Sequence, residues 1–299
     1  LYFPNKNADK EMKVQITGAS GFVGSHLLKC LHGEFIPQSI THNESFSVEA
    51  DVVIHLAGIA HSRNSALSYA DYTSVNKDLA IKAFDAFLAS SARKFILISS
   101  VKAVSDDYEA IVTESTAEHP TTYYGMSKLE ADRYLFSKNL PSGKSLFILR
   151  PALITGPGVK GNLRSLYNFS KRPFGWIFAA INNKRSYCNI KNLSFVIQEI
   201  IDRDDIDSGI YLVADDQPLS TGEIVLLFSK AQMQSWFFLT FTTRVLKFIY
   251  SAMKYLPFRS VVNRFATLTA DYLVGNKKIV QALGKPLPYS SIDGIRSIE

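Results

Sequence analysis

The sequence predicts an α/β protein: a doubly wound parallel sheet with a smaller C-terminal α/β domain. Three observations carry that prediction. The run KVQITGAS passes directly into GFVGSHLLKCLHG, whose apolar residues recur at helical spacing, so strand, glycine turn and helix follow one another. ADVVIHLAG and KFILISS are continuous apolar runs of the kind buried on both faces of a parallel sheet. Strands alternating with helical segments of this length wind into one sheet with helices on both faces.

Taken in order, residues 1–11, LYFPNKNADKE, lack a long apolar core and read as a leader or expression remnant before Met12 rather than a signal peptide. The turn TGASGFVG then places glycines at 18, 21 and 24. Gly18 permits the tight turn, Gly21 the close approach of backbone to a pyrophosphate, and Gly24 the packing of helix on strand. A purely structural glycine turn is the plain alternative, but the flanking strand and helix favour cofactor binding.

Only residues 34–50 remain for the second strand, its helix and the approach to the third strand, so part of the usual unit is trimmed. An acid that holds the adenosine ribose is expected about 20 residues past the glycines. Glu44 is the nearby candidate, and the strand end reads as Ile40 or Thr41. No Lys or Arg stands between Lys29 and Arg63 to clamp a 2′-phosphate, which leans toward NAD and leaves NADP open. Further on, VNKDLAIKAFDAFLASSA and YYGMSKLEADRYLFSKN read as helices, and SLFILRPALITG and GIYLVAD as two more strands.

Composition narrows the function classes. With 46% hydrophobic and 20% charged residues the chain is that of a soluble globular protein. A net charge of +6 without a Lys/Arg block argues against nucleic-acid binding and fits an anionic small ligand. Cys30 and Cys188 have no second thiol nearby, so neither a disulfide framework nor a metal site is expected, and a reducing cytoplasm fits. No window reaches the roughly 18 uninterrupted apolar residues of a membrane span. The nearest approach, residues 236–258, is broken by Arg244, Lys247 and Lys254. It reads as a helix packed over the second domain in preference to one lying on a membrane surface.

In YYGMSK, Tyr124 and Lys128 stand at i, i+4 and share one helical face. That spacing recurs by chance in ordinary helices. Its weight comes from the rest of the chain: TGASGFVG, HLAG at 55–58, Asn76 in SVN, Ser99 and Ser100, LRPALITGPG from 149, NKRSYCNIKNL from 183, and YLVADDQPLSTGEI. Together these resemble the extended short-chain dehydrogenase/reductase family, in its branch of nucleotide-sugar epimerases, dehydratases and 4-keto reductases. The resemblance runs from Met12 to the C-terminus.

The resemblance implies a Rossmann-type domain over 12–154 and 186–214, and a substrate domain over 155–185 and 215–299. It implies NAD held by Gly18, Ser20, Gly21, Phe22, Val23, Gly24, Leu56, Ala57, Gly58, Asn76, Ser99 and Pro151, together with Tyr124 and Lys128. Catalysis would fall to Ser100, Tyr124 and Lys128. A free phenol titrates near about 10, and the Lys128 ammonium and a positive nicotinamide are expected to favour its phenolate. Tyr123 is assigned to packing or substrate contact. Lys102, Asn162, Leu163 and Arg185 would contact a UDP-sugar, Arg185 through two parallel hydrogen bonds to the diphosphate. A homodimer through the Tyr124 helix is also implied.

The reaction implied is epimerisation at C4 of a UDP-hexose or UDP-N-acetylhexosamine, with reduction of a UDP-4-keto sugar as the alternative. A non-catalytic dinucleotide-binding scaffold or redox sensor is the rival from another class. Dehydration is argued against, because the family's dehydratases carry an Asp-Glu pair where this chain has Val101 and Lys102. Two departures concern the sugar pocket: Thr155 where a Tyr precedes GPG, and Asn189 where a His is common.

Overall fold

A computed structural model describes residues 12–60, 67–107, 110–172, 178–179, 181–231 and 269–298. The leader 1–11 and the basic apolar stretch 236–258 therefore lie outside the described residues. By internal contacts the chain divides into two compact units. The first takes residues up to 104, 118–150 and 194–211, the second 105–117, 151–193 and 212 onward. This division differs from the sequence boundaries mainly in giving 105–117 and 186–193 to the second unit.

The principal sheet has six strands: β1 (Lys13–Thr17), β2 (Glu34–Gln38), β3 (Val52–His55), β4 (Lys94–Ile98), β6 (Ser145–Pro151) and β9 (Gly209–Val213). Their order is β2-β1-β3-β4-β6-β9. The pairs β1–β2, β1–β3, β3–β4 and β4–β6 are all parallel. The chain leaves β1 toward β2 and returns to the other side of β1 for β3, so the strand order reverses between β1 and β3. In such sheets the crevice beyond the strand ends at that reversal is where ligands bind.

Helix α1 (Phe22–Cys30) follows β1 directly. The trimmed β2–β3 connection carries no helix: residues 39–51 are irregular. Ile40, Phe46 and Val48 from it pack onto the apolar core instead. β2 ends at Gln38 rather than at Ile40 or Thr41, and it tolerates Pro37 because it is an edge strand.

Two short helical pieces, α2 (Tyr69–Thr73) and α3 (Leu79–Leu88), are joined by one π-helical turn, Ser74–Asp78. α4 (Tyr123–Phe136) is capped by the Thr122 hydroxyl, which accepts from the Gly125 amide at 3.1 Å. Beneath α3 and α4, Phe84, Phe87 and Phe95 pack with ring centroids 5.2–5.7 Å apart, joined by Val53, Leu97, Leu135 and Ile148. Two lysines finish helices by donating to terminal carbonyls. Lys144 serves α3 through Phe87, Ser90 and Ala92, and buried Lys94 serves α6 (Ile190–Asp202) through Ile200, Ile201 and Arg203.

In the second unit β7 (Leu153–Thr155) pairs in parallel with β8 (Tyr187–Asn189), and β5 (Ile111–Val112) with β10 (Leu273–Val274). Around them lie α5 (Gly161–Ser170), α7 (Thr221–Ala231), α8 (Lys277–Leu283) and α9 (Ser291–Arg296). α6 begins at Ile190, directly after β8. Buried Asp215 ties this unit together, accepting from the Asn189 amide, Asn192 Nδ2 and the Ser291 hydroxyl.

Candidate active site

The crevice begins at the glycine turn. Gly18 sits at φ +72°, and a Cβ there would lie 2.7 Å from the Ala57 amide nitrogen. The β1–α1 turn and the loop after β3 therefore touch backbone to backbone, which only glycine allows. A Cβ on Gly24 would lie 2.5 Å from the Gly18 carbonyl oxygen, so α1 is packed down onto the turn. Ser20 and Gly21 are exposed at its tip. α1 starts on Gly21 without a side-chain cap and without an acidic residue in its first turn. Its first N–H groups, at Phe22 and Val23, are thus left to an anion, and the turn fits a dinucleotide pyrophosphate.

Beyond β3, the Leu56 amide donates to the Thr17 carbonyl at 3.2 Å, and Ala57 approaches the Thr17 hydroxyl. That hydroxyl also meets His55 Nδ1 at 2.9 Å. Burial, helped by the Lys128 charge, pushes the His55 imidazole down to about 3, so it stays neutral. Asn76, within the π-helical turn, accepts from the Ile59 amide at 2.8 Å and donates to the Ile59 carbonyl and the Ser127 hydroxyl. Both of its donors are spent inside the protein. Its role is to bolt the 56–59 loop to α4; a contact to cofactor through its amide nitrogen is not what it is arranged for. A π turn inside a helix is often found at a functional site, and here it is what aims Asn76.

Ser99 and Ser100 follow β4. The Ser99 hydroxyl donates to buried Asp132 at 2.9 Å, so its side chain faces the interior, and only its backbone remains for a cofactor. Ser100 opens a short 3-10 turn, Val101–Ala103, and its oxygen accepts the Lys102 amide at 3.2 Å. With that lone pair occupied, the hydroxyl proton is free to point outward, and Ser100 stands close enough to the Tyr124 phenol to act on its proton affinity. Val101 is buried and carries no acid or base.

What brings Tyr124 to Ser100 is Gly125, a residue the sequence reading passed over. A Cβ on it would lie 2.5 Å from the Lys102 carbonyl oxygen, so α4 presses on the 3-10 turn with no room for a side chain. Tyr124 is half-buried, with Tyr72 edge-on at 6.3 Å between centroids. Loss of solvent raises its phenol above the ordinary value, and Ser100 opposes that rise. The expected lowering by Lys128 does not prevail: Lys128 is not among the groups that move this phenol, whose resting form is neutral. Tyr123, by contrast, is 52% exposed and leans on Tyr69.

Lys128 is buried and donates to the Ile98 carbonyl at 3.1 Å. Burial brings its ammonium down to about 8, with Asp132 opposing. A Cβ on Gly58 would sit 3.3 Å from Lys128 Nζ and 2.9 Å from Asn76 Oδ1. Glycine at 58 is therefore the space that lets Lys128 lie under the loop. Below it Asp132 accepts from Arg150 Nε at 2.8 Å, while Arg150 Nη2 donates to Glu118 at 2.7 Å.

The remaining predicted residues belong to the second unit, except Lys102, whose side chain is half-buried on the 3-10 turn. Pro151 closes β6. Asn162 and Leu163 fall in the first turn of α5, whose N-cap is Lys160 without a side-chain bond. Asn162 is exposed and is not a capping residue, while the Leu163 side chain is buried and offers a ligand only its backbone. Arg185 pairs through its backbone with Leu219, and its guanidinium donates to the Ala270 carbonyl at 3.2 Å beside the Tyr272 ring. Thr155 and Asn189 are partners in the β7–β8 register. Both face Gly294 of α9, where a Cβ would meet Thr155 Oγ1 at 2.2 Å and Asn189 Cγ at 3.2 Å. The two departures are one packing solution: small side chains admit the C-terminal helix. Among the described residues no cluster of His, Cys, Asp or Glu is placed to hold a metal, and no helix is long and apolar enough to cross a membrane.

A strand, glycine turn and helix at the sheet's reversal, with a serine, tyrosine and lysine at the neighbouring strand end, define a dinucleotide-dependent enzyme of Rossmann type. Residues 36–214 match the NAD dependent epimerase/dehydratase family, and the chain belongs to that family. It is 30% identical over 247 residues to a UDP-glucose 4-epimerase of Vibrio cholerae, a match spanning 73% of this chain and 75% of that one. It is 26% identical over 209 residues to an N-acetyl-alpha-D-glucosaminyl-diphospho-ditrans,octacis-undecaprenol 4-epimerase of Escherichia coli O157:H7, covering 62% and 61% of the two chains. The fold is shared with a UDP-glucuronic acid 4-epimerase from Bacillus cereus in complex with NAD, at TM-score 0.70, 18% identity and coverage of 96% and 97%. It is shared equally with RMD from Pseudomonas aeruginosa complexed with NADPH, at TM-score 0.71, 18% identity and the same coverage of 96% and 97%.

Proposed function

We propose that this enzyme is an NAD-dependent 4-epimerase of a UDP-hexose or UDP-N-acetylhexosamine, working through a 4-keto sugar. The observation that carries the reading is the arrangement of Ser100, Tyr124 and Lys128 at the end of β4 and the start of α4, with no acid or base at Val101. The glycine turn and the 56–58 loop would hold the dinucleotide. NAD, when bound, supplies the acceptor and then the donor of the C4 hydride.

The protein's own part is proton handling at the sugar O4. Tyr124 Oη takes the O4 proton as the carbonyl forms and returns it as the alcohol is restored. Its raised resting value suits the return step, since a neutral phenol is the donor. Ser100, fixed by the Lys102 amide, donates to the same oxygen and holds it beside Tyr124. Lys128, charged below about pH 8, is assigned to the nicotinamide ribose, where its ammonium would donate hydrogen bonds. Arg185 and the uncapped start of α5 are assigned to the substrate's diphosphate. A homodimer through α4, which exposes Tyr123 and Phe136 near its two ends, belongs to the same proposal and is read by sedimentation.

The name of the Escherichia coli relative has a sugar diphosphate on undecaprenol in place of UDP, so the carrier beyond the diphosphate is part of the test. The NADPH complex of a structural neighbour supports a second reading, reduction of a UDP-4-keto sugar. Freshly purified protein is denatured and any released nucleotide identified by mass and absorbance. The protein is also incubated with UDP-glucose, UDP-N-acetylglucosamine and N-acetylglucosaminyl-diphospho-undecaprenol. Retained NAD(H) with interconversion of C4 epimers is the expected result. An empty site that exchanges NADPH each turnover would give the reductase reading the lead, and NAD binding without turnover of any of these sugars would leave a scaffold.

A further inference from the structure

Asp132 occupies an unusual position for a charge. It has no exposed surface, and it stands one turn beyond Lys128 on α4, at i+4. Oδ2 is held twice, by the Ser99 hydroxyl at 2.9 Å and by Arg150 Nε at 2.8 Å. Among the described residues Oδ1 has no hydrogen-bond partner. A buried polar atom left unpaired costs stability, so its retention calls for a reason.

Arg150 does not exhaust this carboxylate. Its fork is split between two acids, Nε on Asp132 and Nη2 on Glu118, and Arg133 also reaches Glu118. The charged and titratable groups around Lys128 are few. Asp132 on α4 and neutral His55 on β3 are the ones coupled to it, while the Arg150 cation of β6 bears on Asp132 and Glu118, ahead of α4, on Arg150. Lys128 itself makes one hydrogen bond, to the uncharged Ile98 carbonyl. Of the two acids on its own helix, Glu130 pairs with Lys77 and Asp132 lies on the buried face with Lys128, the two acting through space because no direct ion pair joins them.

Resting on the proposed catalytic role of Lys128, we propose that Asp132 is a positioning residue, the counter-charge that keeps Lys128 an ammonium inside the closed interface between α4 and the sheet. Ser99 and Arg150 hold that carboxylate in place and oppose the rise that burial imposes on it, which gives the pair SS at 99–100 two separate tasks: Ser99 serves the lysine from below and Ser100 serves the tyrosine from above. Burial works against both charges, lowering Lys128 and raising Asp132, and each opposes the shift of the other.

The test reads Lys128 directly, without substrate or cofactor. Protein labelled with [ε-13C]lysine is titrated by NMR from neutral to alkaline pH, the Lys128 resonance being assigned by its loss in Lys128→Met. In the unsubstituted protein it inflects near 8. In Asp132→Asn the midpoint falls by about one unit or more, and in Asp132→Glu it returns toward the original value. An unchanged midpoint in a folded Asp132→Asn protein overturns the proposal. If Asp132→Asn does not fold, [γ-13C]aspartate in the unsubstituted protein decides: the Asp132 carboxyl resonance, assigned by its loss in Asp132→Glu, must shift at the Lys128 midpoint, and a flat trace there overturns the proposal. Absence of epimerase turnover would remove the catalytic reading and leave this titration as it stands, so the two fail separately.

Discussion

The crevice wall made by the β1–α1 turn, the 56–59 loop and α4 differs in kind from the β2–β3 connection. In the first, Gly18 and Gly125 meet backbone so closely that they have no room for a methyl group, and Gly58 faces the Asn76 and Lys128 side chains. In the second, β2 stops at Gln38, no helix follows, and the loop is braced by side chains: Lys82 donates to the carbonyls of Thr41 and His42 at 2.6 and 3.2 Å and to that of Glu44, Ser74 meets His42 Nε2 at 2.8 Å, and Gln15 donates to the Ser47 carbonyl and accepts from the Glu49 amide. Glu44 itself accepts from Thr41 at 3.1 Å, so its carboxylate is engaged within the loop. The difference teaches where precision is needed. On the proposed function, chemistry and phosphate contact would require fixed atoms, whereas an adenosine end would tolerate a trimmed and differently braced loop.

The sharpest way to break this comparison is at the tyrosine. Tyr124→Phe removes the proposed proton carrier without touching the packing, and turnover is expected to fall by roughly 10²–10⁴-fold with dinucleotide affinity retained. Near-normal kcat would mean the rigid wall serves something other than catalysis. Gly18→Ala tests the wall itself. It forces both a left-handed backbone and a backbone clash, so a stability loss of about 1–3 kcal/mol and loss of dinucleotide binding are expected, read by melting and by fluorescence titration.

Lys82→Ala probes the other region. Loosening the loop is expected to weaken dinucleotide affinity about threefold to tenfold, near 1 kcal/mol, with kcat unchanged. An effect as large as that of Gly18→Ala would erase the distinction between the two regions.

A smaller and more graded effect follows from pH. The Lys128 ammonium is lowered in the folded protein to about 8 from an ordinary 10.5. Its burial therefore costs stability in full below about 8, and that cost is relieved as pH rises toward 10.5. Turnover, which under the proposed function needs the ammonium, is expected to decline as pH rises through about 8. Activity and this group's share of stability thus move in opposite directions, and a turnover profile that stays flat to pH 10 would argue that the charge on Lys128 is not required.

Legibility followed the same division. The glycine turn could be read because Gly18, Gly21 and Gly24 stand between a strand pattern and a helix pattern, and the crossover trimming because 17 residues cannot hold a full unit. Asp132 was not read, although it continues the series Tyr124, Lys128 at the next i+4 step. The buried face of α4 includes Gly125, Ser127, Lys128 and Asp132, so hydrophobic periodicity gave no sign that it faces inward. Asn76 and Ser99 were read as cofactor contacts on resemblance, yet their side chains are spent on Ile59, Ser127 and Asp132. Thr155 and Asn189 looked like two separate departures, because nothing local reveals that both make room for Gly294, more than 100 residues later.

By itself, then, the sequence determined the sheet, the glycine turn and the spacing of Ser100, Tyr124 and Lys128, since these depend on local geometry: chain direction, side-chain period and the space a Cβ takes. Only the tertiary structure decided which polar groups are spent on one another, how far burial moves Tyr124, Lys128 and His55 from their ordinary values, and which strand ends meet. Those properties depend on what lies across the interface, and desolvation and hydrogen-bond pairing are set by neighbours distant in the chain.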